Sequence, residues 1–170
     1  TGLSAEERPE IFLYTQEPAE CVLDQSFQMR AFFPRWWKRD DIFREWLWEK
    51  QVAHEAERDG CDVFLSLFQS ATIFDRSSSV RHVMVVHDLI PRLFPSYLAK
   101  YSQKFHWQMT ERGIRFADAL IAVSNSTKED LIVSLGNDPG RITVVYPGLS
   151  PVFSTIPSDG EVASVLVRYG

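Results

Sequence analysis

Four uninterrupted apolar runs constrain this chain more than anything else in it: DVFLSLF (62–68), RHVMVVH (81–87), ADALIAVS (117–124) and ITVVYPG (142–148). A strand with one wet face alternates apolar and polar residues. A run without alternation signals burial on both faces, and so a parallel sheet between helix layers. The stretches between the runs have helical character. Residues 96–117 predict a long helix opened by Pro95 and Ser96, with Trp107 and Phe116 inward and Lys100, Lys104 and Glu111 outward. SNSTKEDLIVSLG predicts a shorter one that Ser124 or Ser126 can cap, with Glu129 three residues after Ser126 and Gly136 as the stop. Strand and helix in alternation give an α/β fold with a doubly wound, mostly parallel, Rossmann-like sheet.

Upstream, IFLYT (11–15) and FQMRAFF (27–33) are strand candidates. From Asp41, the residues Phe43, Trp46, Leu47, Val52, Ala53 and Ala56 recur at roughly helical spacing. Asp40 or Asp41 can cap that helix and Gly60 ends it. The tail EVASVLVRYG also reads as helix. With 170 residues, the chain has the size of one large domain or one lobe of a two-lobed protein.

Net charge is −5, which argues against a nucleic-acid-binding domain because no basic surface is offered to the phosphates. Cys21 and Cys61 read as reduced, half-buried cysteines of a cytosolic protein. No segment has the pattern of a secretory signal, and no apolar run reaches 18 residues, so the cytoplasm is the expected location. FFPRWWKRDDIFREWLWEK crowds four tryptophans among charges. Three readings stay open for it. Trp36 and Trp37, flanked by Arg35, Lys38 and Arg39, suit peripheral contact with the inner face of a membrane. The same rings could stack on an acceptor sugar or base. Ordinary packing of an amphipathic helix and its entry loop is the default for aromatics at helical spacing.

Ligands of open parallel sheets bind beyond the carboxyl ends of the strands. Three strands end in polar or conformationally special residues: His87-Asp88, Ser124-Asn125-Ser126, and Tyr146-Pro147-Gly148. Each has a plain structural alternative. His87 could be an ordinary loop histidine, Asp88 a turn cap before Pro91, the serines a helix cap, and Tyr-Pro-Gly a turn. If the strands are parallel, all three clusters share one edge.

The order of "VVHDLIPRLFP", "ADALIAVSNSTKEDLIVSLG" and "RITVVYPGLSPVF" resembles the N-terminal lobe of the family 4 retaining glycosyltransferases, which have the two-lobed GT-B architecture. WEKQVAHEAERDGCDVFLS resembles the helix and strand before the histidine strand there. The resemblance implies that residues 1–153 are an incomplete N-terminal, acceptor-binding lobe and that 154–170 begin the linker. It implies transfer of a mannose- or glucose-type hexose, with retention, from a nucleotide sugar to a glycan or lipid-linked acceptor. Neither an obligatory metal nor another cofactor is implied. His87 matches the family histidine that faces the donor sugar. Asp88 stands where some relatives touch the acceptor, and Ser124, Asn125, Ser126 and Gly148 match further substrate-side positions.

The departures shape the expectation. The family's donor machinery, a basic pair and two glutamates, lies in a C-terminal lobe beyond the present sequence. The glycine-rich loop after the family's first strand has no counterpart; Gly2 is a poor candidate. Where relatives often show Asn-Gly-Val-Asp, this chain has Pro147-Gly148-Leu149-Ser150. The lobe is therefore expected not to catalyse transfer alone. The alternative is a non-catalytic α/β module for binding or protein association. A free-standing nucleotide-binding domain is set aside, because no GxGxxG or GxxxxGK occurs.

Overall fold

A computed structural model describes residues 9–15, 27–31, 42–150 and 156–169. Trp36, Trp37, Asp40, Asp41 and Cys21 lie outside the described residues, as does the start of the chain. In order, the elements are β1 (Ile11–Tyr14), β2 (Phe27–Arg30), α1 (Ile42–Arg58), β3 (Val63–Ser66), β4 (Arg81–Val86), α2 (Ile90–Leu93), α3 (Tyr101–Phe116), β5 (Ala119–Ala122), α4 (Asn125–Leu135), β6 (Ile142–Val144) and α5 (Asp159–Tyr169). The chain has an α/β fold with parallel strands in two sheets. A four-stranded sheet runs β3-β4-β5-β6, and β1 pairs with β2 in a smaller one.

The register explains where the core sits. Phe64 pairs with His82, Met84 with Leu120, and Leu120 with Ile142, so these side chains share one sheet face. On that face Met84, Val86, Leu120, Ala122 and Ile142 pack against Trp107 and Ile114 of α3 and Leu131 and Leu135 of α4. Phe64 packs with Val52 and Ala56 of α1. The opposite face is less covered. Val63 and Leu65 of β3 are 57% and 48% exposed; Val83, Val85, Ala119 and Ile121 are half-buried. The expectation of burial on both faces is therefore corrected for β3, whose burial alternates.

Helix boundaries follow local chemistry. Gly60, at φ +71°, takes the left-handed conformation that ends α1, and Cys61 N–H donates to Ala56 O at 3.0 Å. Gly136, at φ +69°, ends α4 in the same way, its N–H donating to Ile132 O. The long helix begins later than 96, because Pro95–Tyr97 form a separate 3₁₀ turn. One inward assignment is corrected: Phe116 is 48% exposed. Phe43, which shares the helical spacing of α1, is 56% exposed. The buried residues of α1 include Arg44 and Glu49 beside Val52, Ala53 and Ala56. Glu49 Oε2 is 3.0 Å from His106 Nε2, so a buried carboxylate is matched across the α1–α3 contact. The small sheet is tied to the end of α1 through Tyr14 Oη and Arg30 Nε, both donating to Asp59 Oδ2.

Candidate functional site at the sheet's carboxyl edge

Because β3 to β6 are parallel, the residues after each strand emerge at one edge. His87 follows β4 directly and is exposed. Its Nε2 lies 3.0 Å from Leu67 O and its backbone N–H donates to Gln69 Oε1 at 3.2 Å. Asp88 Oδ1 accepts from Ile90 N–H at 3.0 Å. One carboxylate oxygen thus caps the turn into α2, as the plain reading of Asp88 held, and the second oxygen is not used by that cap.

Ser124 ends the β5 segment and caps α4, its Oγ accepting from Thr127 N–H at 3.0 Å. The spacing from Ser126 to Glu129 is not used, since α4 begins at Asn125. Asn125 Nδ2 donates to Tyr146 Oη at 3.0 Å, joining the start of α4 to the segment after β6. Thr127 Oγ1 donates to His87 O at 3.0 Å, joining α4 to the end of β4. Ser126 is exposed in the first turn of α4. Gly148 is exposed, and a side chain there would meet nothing within 4 Å. The three clusters do share one edge, stitched together by hydrogen bonds from Gln69, Thr127 and Asn125.

Gln69 and Thr127 were missed by sequence reasoning. Gln69 was within reach of it, since the rule that drew attention to three strand ends applies equally to the end of DVFLSLF. Thr127 lies inside a Ser/Thr-rich helix start whose hydroxyls read as generic caps. Among the described residues no group of three or more His, Cys, Asp or Glu is placed to hold a metal ion. A cleft of about 320 Å³ between α1 and the segment before β4 is lined by Lys50, His54, Phe74 and Asp75 among others, and includes none of the residues nominated above. Cys61 is a free thiol, its Sγ 3.6 Å from Tyr14 Oη. No described helix is long and apolar enough to cross a membrane.

The profile of Glycosyltransferase Family 4 matches residues 7–152, most of the chain. The chain belongs to that family. Among curated proteins no match is found. Among solved structures, a glycosyltransferase from Rickettsia africae ESF-5 is similar over 84% of this chain, at 13% identity and a TM-score of 0.41. The chain spans 36% of that structure's length. So distant a neighbour decides nothing about substrates. The family 4 match spans the His87, Ser124 and Gly148 segments.

Proposed function

We propose that this family 4 chain is the acceptor-side lobe of a retaining glycosyltransferase. In this reading the enzyme moves a mannose- or glucose-type hexose from a nucleotide sugar to a glycan or lipid-linked acceptor. A second, donor-binding lobe supplies the groups that hold the diphosphate, and the present lobe alone does not turn over. The reaction takes place in the cytoplasm, at or near the inner face of the membrane. The observation that carries this reading is the convergence of His87, the start of α4 and the Tyr146–Gly148 segment on one sheet edge of a chain matched along 7–152.

The residue chemistry supports roles of binding and orientation. During transfer the bond from the anomeric carbon to the leaving phosphate oxygen breaks and a bond to the acceptor oxygen forms, with positive charge developing on the sugar. The imidazole of His87 holds a sugar hydroxyl and so fixes the ring that reacts. The Asp88 oxygen left over from capping accepts from the acceptor hydroxyl. Asn125, Ser126 and the Gly148 backbone complete the polar rim, while the Ser124 hydroxyl serves mainly to cap α4.

The test is transfer of labelled hexose by the full protein, assayed against a panel of nucleotide hexoses. His87→Ala lowers kcat/KM roughly tenfold, the worth of one well-placed hydrogen bond, with the fold intact by circular dichroism. Asp88→Asn keeps an oxygen for the Ile90 N–H, so any loss of turnover reports the charge and not the cap. Unchanged transfer in both variants would remove these residues from the site, whereas no transfer from any nucleotide hexose by the full protein would favour a non-catalytic binding module.

A further inference from the structure

The ring of His87 is exposed, yet its rotation is constrained. Its Nε2 lies 3.0 Å from the Leu67 carbonyl oxygen. A carbonyl only accepts, so Nε2 carries a proton, and the neutral ring is the Nε2–H tautomer with Nδ1 as its acceptor. The backbone that bears this ring is gripped by Gln69. Gln69 Oε1 accepts from His87 N–H at 3.2 Å, and Gln69 Nε2 donates to the Asp88 carbonyl at 3.3 Å. An N–H requires an acceptor and a carbonyl a donor, so only one orientation of the carboxamide serves both. A carboxylate serves one of the two, and an aliphatic side chain neither. From the other side Thr127 Oγ1, itself on a buried residue, donates to His87 O. The His87-Asp88 turn is thus clasped from the β3 end and from α4.

We propose that Gln69 is the positioning residue for His87: by holding both peptide groups of the turn, it keeps the imidazole against Leu67 O, fixes the Nε2–H tautomer and reserves Nδ1 to accept from a substrate hydroxyl. The bearing of Gln69 on turnover rests on the glycosyl-transfer reading above. Its bearing on the tautomer does not, and the two are measured separately.

The experiment uses the full protein labelled with ¹⁵N-histidine, its ring nitrogens observed by long-range ¹H–¹⁵N correlation and His87 assigned by the signals lost in His87→Ala. In the parent protein His87 is expected as the Nε2–H tautomer whenever neutral. Gln69→Leu shifts it toward a mixture of tautomers, and kcat falls roughly tenfold while KM changes little, as expected of a misplaced group. Gln69→Glu keeps the acceptor for His87 N–H and loses the donor to Asp88, so it lies between the two; it also carries the test if Gln69→Leu does not fold. A purely structural role would lower stability and leave the ring spectrum alone. The proposal is overturned if His87 is Nδ1–H in the parent protein, or if neither variant alters its tautomer. A tautomer that follows Gln69 while His87→Ala transfers sugar normally would uphold the positioning and sink the sugar-binding role of His87.

Discussion

His82 lies buried between Phe64 and Phe74, the ring centroids 5.6 and 5.5 Å from its own, and its Nε2 meets Ser66 Oγ at 2.8 Å. Burial pushes its pKa down to about 4, with the nearby Asp118 charge pulling partly the other way. An unfolded histidine titrates near 6.5. Between pH 6.5 and 4 the unfolded state therefore binds the extra proton, and stability falls as pH drops through that window. The gap is worth on the order of 3 kcal/mol. His106 behaves oppositely. Its hydrogen bond to Glu49 raises its pKa against the opposing effect of burial, so its contribution is present below about 6.5 and is lost as pH rises through its folded value. His82→Leu should cost about 1–2 kcal/mol at pH 7 by depriving Ser66 of its shorter hydrogen bond and leaving it only the 3.5 Å contact with Ser70 Oγ. It should also flatten the loss of stability between pH 6.5 and 4, measured by urea unfolding across that range. An unchanged slope would mean that His82 is not the group taking up the proton. None of this was legible in RHVMVVH, where only the last histidine stands at a strand end. The neutral state of His82 arises from rings contributed by two other segments, and sequence spacing carries no trace of them.

Elements were legible where a local signal decides, and less so where a neighbour does. Gly60 and Gly136 mark helix ends because the left-handed backbone there favours glycine. The motif Ser158-Asp159-Gly160-Glu161 has capping-box spacing that sequence reading left unused. Ser158 N–H and Oγ both donate to Glu161 Oε2, which lowers the pKa of Glu161, and Glu161 N–H donates back to Ser158 Oγ. Phe116 was assigned inward on periodicity alone and is half exposed, and the inward side of α1 carries the polar Arg44 and Glu49, the carboxylate meeting a histidine on α3. Gly113 shows a tertiary demand of another kind. A Cβ at this position on α3 would collide with the carbonyl oxygen of Ser70, so the helix approaches that loop only because the side chain is absent. Gly113→Ala should gain helix propensity and still destabilise by about 1–3 kcal/mol, the usual cost of overpacking. Because Ser70 adjoins Gln69, the same change should perturb the amide resonances of His87 and Asp88. A variant as stable as the parent, with those resonances unmoved, would show that the loop yields without consequence.

At the scale of the molecule, the parallel sheet could be foreseen from four apolar runs, but the order of its strands and its asymmetry could not. Val63 and Leu65 read as core in DVFLSLF because they are apolar, yet they alternate with Phe64 and Ser66 and point away from α1. An apolar run records which strand faces tolerate burial and does not record how many helices are present to cover them. The described helices α1, α3 and α4 all pack on the face of Phe64, Met84 and Leu120. The two faces should therefore respond differently to the loss of apolar volume. Met84, fully buried beneath α3 and α4, should lose about 2–5 kcal/mol as Met84→Ala, from transfer and cavity costs together. Leu65, half exposed on the other face, should lose no more than about 0.5 kcal/mol as Leu65→Thr, since little area leaves water there and threonine suits a strand. Urea unfolding of both variants at neutral pH makes the comparison directly. Equal losses would mean that the β3 face is covered in solution. Unequal losses would leave that face open, and only the face carrying the helices would anchor the strands whose ends place His87, Ser124 and Tyr146 together.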